Sequence, residues 1–290
     1  RSKRRRINSS RTPNRCSWPI RMASDEPAAV VRGRTVARSR RARVAALLIV
    51  PLLALVAVLT LPPIAQDLRY HAFADTRTVL GIANFANVVS NLPFLLVGAF
   101  GLALCLGARR PTAWRSWATF FAGVAIVCFG SGYYHVAPSN DSLVWDRLPM
   151  TLAFMGLFVA LVSEHVEEAH ERYWLGPALL AGFASVAWWH YADDLRLYFW
   201  IQGAPLLVVV AALALFPARY THRRYLLYGL GLYAAAKIAE LDDLALFQWS
   251  GMVLSGHSLK HLLAAASAAC VYVMLCRRSP VSDSINRRAA

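Results

Sequence analysis

Apolar residues in this chain gather into long runs, parted by short stretches that hold most of the charge. Eight runs stand out, at residues 44–64, 83–106, 117–136, 143–162, 175–189, 197–216, 226–247 and 255–276. A helix crossing the hydrocarbon layer takes about 20 mostly apolar residues, so the pattern predicts an all-α polytopic membrane protein with eight spanning helices. The fifth run is the shortest. The first follows a basic stretch, as a signal peptide would. It is longer than such segments usually are, and Ile64-Ala65-Gln66 makes a poor cleavage site, which favours a retained helix.

Composition agrees with the pattern. The 290 residues are 57% hydrophobic and 16% charged, with a mean hydropathy of +0.42, whereas a soluble domain is about 25% charged. A soluble enzyme or a DNA-binding domain is therefore disfavoured.

The net charge of +15 is unevenly placed. Residues 1–43 hold 14 of the 31 Lys and Arg against two acids, Asp25 and Glu26, while residues 44–290 hold 17 basic and 14 acidic residues. The basicity thus belongs to a tail, and a basic tail before an apolar run sets membrane orientation. No interleaving of basic and aromatic residues points to nucleic acid, and none is expected as a partner. Residues 1–21 precede the first methionine, Met22, and are rich in Arg, Ser and Pro; the expectation for them is disorder. The five cysteines show no CxxC spacing and read as small apolar residues.

Eight spans put the loops carrying Arg109, Arg110 and Arg115, then Arg219, Arg223 and Arg224, and the tail 277–290 with Arg277 and Arg278, on the side of the N-terminal tail. By the positive-inside rule both termini are cytoplasmic. The alternate loops carry Arg69, Arg77 and Arg196.

Ionisable side chains within apolar spans are costly and mark functional candidates. They gather toward the outer side: Ser90-Asn91 in the second span, Ser131 and His135 at the end of the third, and Asp146 at the start of the fourth. Lys237, Glu240, Asp242 and Asp243 follow on the seventh, and Ser255, His257, Lys260 and His261 on the eighth. His257 and His261 are four residues apart, which stacks two imidazoles on one helix face, and Ser131 and His135 repeat the spacing. Three imidazoles from two helices, with a fourth position open, form the layout of a catalytic zinc site. The plainer reading makes them interhelical hydrogen-bonding residues. Three at one depth beside an aspartate favour the metal. Asp146 paired with Arg147, and an internal ion-pair cluster at Lys237, Glu240, Asp242 and Asp243, are the corresponding structural readings. His71 and His190 read as solvated.

The run GSGYYHVAPSNDSLVWDRLPMT, the segment SNLPF and the helix SGHSLKH resemble the CREST superfamily of membrane hydrolases. The closest branch is that of the alkaline ceramidases and their bacterial relatives. The resemblance covers about residues 68–276. It implies a ceramidase-like domain at 65–276 with a seven-transmembrane-helix bundle core, plus one additional N-terminal transmembrane helix at 44–64. It further implies one zinc ion per chain on His135, His257 and His261, with Asp146 and Ser131 as catalytic residues and Ser90, Asn91, Asp242 and Ser255 in support. The expected location is the bacterial inner membrane, with the site toward the outer side.

Two departures stand out. The acidic calcium-binding segment of the animal enzymes is replaced here by Tyr70-His71-Ala72-Phe73-Ala74-Asp75-Thr76-Arg77, with Asn84 at the acid nearest the helix start, which argues against calcium regulation. Between the two helical histidines stand Ser258-Leu259-Lys260 rather than aromatics, so the lipid pocket and its substrate differ from theirs.

The expected activity is hydrolysis of a lipid amide such as ceramide within the bilayer. Zinc activates water, Asp146 moves the proton to the departing amine, and Ser131 orients the water or the oxyanion. A non-catalytic receptor or scaffold with structural zinc is the main alternative, and a transporter a lesser one. A rhomboid-type serine protease fits poorly, because Phe129-Gly130-Ser131-Gly132 lacks the Gly-x-Ser-Gly pattern.

Overall fold

Ten helices and two short 3-10 turns make up the computed structural model, which describes residues 26–281, with side chains from residue 39 except that of Glu168. The helices are α1 (Glu26–Thr60), α2 (Phe85–Val89), α3 (Leu92–Leu106), α4 (Trp114–Val136) and α5 (Asn140–His165). They continue with α6 (Glu171–Ala192), α7 (Arg196–Leu215), α8 (Arg224–Leu241), α9 (Asp243–Trp249) and α10 (Gly256–Arg277). Among the described residues there is no β-strand. The predicted disorder of residues 1–21, and the end of the C-terminal tail beyond 281, lie outside the described residues. The helical bundle belongs to the compact unit that begins at Ala42.

Three of the runs, the first, second and seventh, differ from the hydrophobic pattern in where their helices begin, end or break. Helix α1 begins at Glu26, ahead of the apolar run, and so takes in basic residues assigned to the tail. It stops at Thr60 rather than 64, because Pro62 and Pro63 have no N–H to continue the ladder. The second run is two helices, parted at Ser90 and Asn91: Pro93 lies in the first turn of α3, a position where a missing N–H costs nothing. Asn91 Nδ2 donates to the Asn87 carbonyl at 2.7 Å and satisfies a group that the interruption frees. The seventh run likewise breaks, at Asp242, between α8 and α9.

Six helical segments are long and apolar enough to cross a membrane: Ser39–Thr60, Phe85–Leu106, Trp114–Val136, Asn140–His165, Arg196–Leu215 and Gly256–Arg277. Six such segments among the described residues mark an integral membrane protein. Helices α6 and α8, predicted as the fifth and seventh spans, fall outside that set. Helix α8 carries Arg224, Lys237 and Glu240, and α6 starts with Glu171-Arg172 and ends in aromatic and polar residues, which dilute both.

Helix α4 packs along α5 and α3, α10 packs along α8 and α3, and α5 also meets α6 and α7. Small residues permit the closest crossings. A Cβ added at Gly130 would lie 2.0 Å from the Trp145 carbonyl oxygen, and one at Gly256 would lie 2.1 Å from that of Ala239. The main core, which includes Trp117, Phe121, Val124, Leu161, Val208, Val271 and Met274, fills the bundle. A smaller cluster of Phe73, Tyr134, Leu143, Val186, Trp189, Leu195 and Tyr198 lies where α4 and α6 end and α5, α7 and α10 begin.

Candidate metal centre

Two helix ends build the centre. His135 occupies the last turn of α4, and His257 and His261 the first two turns of α10. Caps fix the helix starts nearby. Ser255 Oγ accepts from the Ser258 N–H at 3.1 Å, and Ser139 and Ser142 form a reciprocal capping box that opens α5 and so positions Asp146 two turns along.

The three imidazoles are buried, and their candidate ligand nitrogens lie within 4.8 Å of one another. Nε2 of His135 faces Nε2 of His261 at 3.3 Å, and all three ring pairs have centroids 4.9 Å apart. Phe73 covers the group, its ring 4.8 Å from that of His135 and 4.7 Å from that of His257.

Do these residues suit a metal ion? A neutral imidazole has one donor and one acceptor nitrogen. The Ser90 hydroxyl donates to the Asn87 carbonyl at 3.1 Å, so toward His261 Nδ1, 2.8 Å away, it can only accept. His261 therefore carries its hydrogen on Nδ1 and turns the Nε2 lone pair toward His135. Nδ1 of His135 has no partner. Convergent lone pairs on buried nitrogens, one oriented by a second hydrogen bond, suit a cation that prefers nitrogen. Lys260 Nζ lies 2.9 Å from His257 Nε2; an ammonium only donates, so the lone pair of this third ring is engaged by Lys260, which a metal would displace. The donor set fits a metal; its identity is a matter for the proposal below.

Asp146 is buried on α5 and shares a cavity wall with Ser131, which lies one turn before His135 on α4. The alternative Asp146–Arg147 ion pair is not formed: Arg147 Nη2 donates to Gln66 Oε1 at 2.6 Å. Ser131, Asp146 and His261 open on a cavity of about 420 Å³. Most of its wall is apolar, including Phe94, Phe120, Val124, Leu157, Val209 and Val271. Tyr70, Arg147, Lys237, Glu240 and Lys260 also line it.

The supporting residues divide. Ser90 touches His261 directly. Asn91 bonds backbone at the break between α2 and α3, and Ser255 caps α10. Asp242 is exposed, and its neighbour Asp243 is the useful carboxylate: it accepts from the His257 N–H at 2.7 Å and the Ala74 N–H at 2.8 Å, tying the loop that carries Phe73 to the start of α10. The expected ion-pair cluster is formed by Glu240 with Lys237 at 2.8 Å and with Lys260 at 3.0 Å, without Asp242. Asp75, in the segment compared with a calcium site, is engaged by Arg77 at 2.6 Å. His71 is no solvated residue; its ring nitrogens contact Tyr134 Oη at 2.9 Å and Asn140 Oδ1 at 3.0 Å.

Sequence reading missed Asn84, which donates to the His135 carbonyl at 2.8 Å, and Asn87, whose Oδ1 accepts from Ser258 at 2.8 Å. A run of Asn84, Asn87 and Asn91 at helical spacing was the available signal. Nothing local marked Phe73.

Searches of curated proteins and of solved structures return no match. The pattern that defines the Ceramidase family matches residues 77–284, more than two thirds of the chain, and spans all three histidines, Ser131 and Asp146. The chain belongs to the ceramidase family.

Proposed function

We propose that this protein is a zinc-dependent intramembrane hydrolase that cleaves the amide bond of a lipid such as ceramide. The observation that carries the reading is the junction of three buried imidazoles with one largely apolar cavity whose wall holds Ser131, Asp146 and His261. A structural metal in a receptor or scaffold has no need of a buried carboxylate beside it or of an open lipid-sized cavity.

His135, His257 and His261 hold the ion, one per chain. Zinc, when bound, supplies a Lewis acid that polarises a carbonyl and makes water a nucleophile near neutral pH. The cavity wall of Phe94, Phe120, Val124, Val209 and Val271 takes the acyl chain and excludes bulk water from the amide. Asp146 receives a proton from the attacking water and passes it to the nitrogen of the departing amine. Ser131 holds that carboxylate in register and leaves its own hydroxyl near the carbonyl oxygen. The products are a fatty acid and an amine.

The proposed topology is a seven-helix core, residues 65–276, counting α2 with α3 and α8 with α9, preceded by α1. Both termini lie in the cytoplasm and the metal centre lies toward the outer face of the bacterial inner membrane. The arginines at 109, 110, 219, 223, 224, 277 and 278 support that orientation.

The test is hydrolysis of a fluorescent ceramide by detergent-purified, zinc-loaded protein. Asp146→Asn is expected to keep the metal and lower turnover by about 10²- to 10⁴-fold. Wild-type turnover matched by Asp146→Asn contradicts the mechanism.

A further inference from the structure

The wall of the cavity contains a cation with no counter-ion. Arg147 is 5% exposed and lines the same cavity as Ser131, Asp146 and His261. Its guanidinium lies 3.8 Å from the ring of Trp189 and 4.7 Å from that of Tyr198, aromatic neighbours that hold it in place. One hydrogen bond, to the neutral Gln66 amide, is satisfied, while Nη1 has no partner.

Nearby carboxylates are committed elsewhere. Glu240 is shared by Lys237 and Lys260, Asp67 is paired with Arg69, and Asp194 with Arg196. Asp146, the adjacent carboxylate, acts on Arg147 electrostatically but forms no direct ion pair with it. A second donor in the same cluster, Trp189 Nε1, is also buried without an acceptor. Of these two donors it is the guanidinium, with its full charge, that borders the cavity. Burying such a charge alone is costly, and the missing complement is an anion.

The cavity is also polarised. Phe94, Phe120, Val124 and Val271 form its apolar part, whereas Arg147, Lys237 and Lys260 face it with Glu240, Asp146 and Asp67, of which Glu240 is shared by the two lysines and Asp67 is paired with Arg69. A neutral headgroup leaves Arg147 unanswered; a carboxylate matches its planar fork.

We infer that Arg147 is a specificity residue and that the favoured substrate is a lipid amide whose amine half bears an anionic group, as in an N-acyl amino acid. The inference rests on the lipid-amide reading above: the acyl chain enters the apolar part and the anion meets Nη1 of Arg147, which leaves the amide beside Asp146 and the histidines.

The test compares N-oleoylglycine with N-oleoylethanolamine, which differ in a carboxylate against a hydroxymethyl group. Binding to the full-length protein in detergent, by displacement of a fluorescent fatty amide, is measured alongside hydrolysis. Wild type is expected to bind N-oleoylglycine about tenfold more tightly, the scale of one charge-assisted hydrogen bond. Arg147→Gln should bring the ratio close to one, and Arg147→Lys should restore part of it. Equal binding of the two amides by wild type overturns the inference, even if Arg147→Gln fails to fold, and so does an undiminished preference in folded Arg147→Gln. Hydrolysis of the neutral amide with no anionic preference leaves the hydrolase reading standing and the Arg147 assignment overturned. Preferential binding of N-oleoylglycine with hydrolysis of neither amide supports the Arg147 assignment and contradicts the hydrolase.

Discussion

The hydroxyl of Ser90 shows how much one side chain decides. Because it donates to the Asn87 carbonyl, it can only accept from His261, and the proton of that imidazole is fixed on Nδ1. Ser90→Ala removes the constraint without touching the ligand nitrogen. Metal affinity is expected to fall about 10- to 100-fold, the usual cost of losing a partner behind a ligand. Competition with a calibrated chelator measures it; unchanged affinity contradicts the tautomer argument. At this scale the sequence was readable where contacts follow helix spacing. His257 with His261, and Ser131 with His135, lie one turn apart and are visible in a linear reading. Phe73 and Asn84 act on His135 from more than fifty residues away, and Asp243 reaches Ala74 across 169 residues, so no local pattern disclosed them. At the helix break the turn exposes Asp242 and directs Asp243 to the His257 and Ala74 N–H groups, a difference between adjacent carboxylates that a linear reading does not resolve.

Helices carry these residues, and their crossings set the distances. Gly130 lies against the Trp145 carbonyl, one residue from Ser131 on α4 and opposite the residue before Asp146 on α5. A methyl group at that position meets backbone, which cannot rotate away. Gly130→Ala is therefore expected to push α4 from α5, separate Ser131 from Asp146 and cost about 1–3 kcal/mol in stability. Thermal unfolding in detergent together with turnover checks it; a variant with wild-type Tm and activity contradicts the close crossing. Element positions were well foreshadowed by the apolar runs, because a spanning helix needs length and apolarity that few other segments combine. What the runs concealed was their interruption. An apolar stretch reads as continuous through Ser90-Asn91 and Asp242, yet both breaks aim polar groups at the centre: Ser90 toward His261, and Asp243 toward the backbone of His257.

Across the whole molecule, polar chemistry is divided between two ends. One end holds the histidines and the loop ion pairs. The other gathers Glu164, which pairs with Arg278 at 2.7 Å and accepts from Trp117 at 2.9 Å, and Glu171, which accepts from the Ser116 N–H at 2.6 Å. Loop carboxylates at the metal end give a pH signature. The Arg77 guanidinium holds Asp75 below its ordinary range, and Arg196 does the same for Asp194. A carboxylate whose folded pKa is depressed stabilises fully above its unfolded value, about 3.9, and loses that contribution as pH falls through the lower folded value. Melting temperature is thus expected to hold from neutrality to about pH 5 as far as these pairs are concerned, and to fall below about pH 4. Asp75→Asn and Asp194→Asn should each flatten that acid limb; an unaltered limb in both contradicts the assignment.

Two helices distant in the chain, α4 and α10, bring together at one end of the bundle the three side chains that a metal would join. Elemental analysis of the purified protein tests that meeting most directly, alongside a His257→Ala/His261→Ala double variant. The account predicts about one zinc per wild-type chain, the stoichiometry of a three-histidine site, and none in the variant. Folded wild type without metal, or equal metal in both proteins, contradicts it.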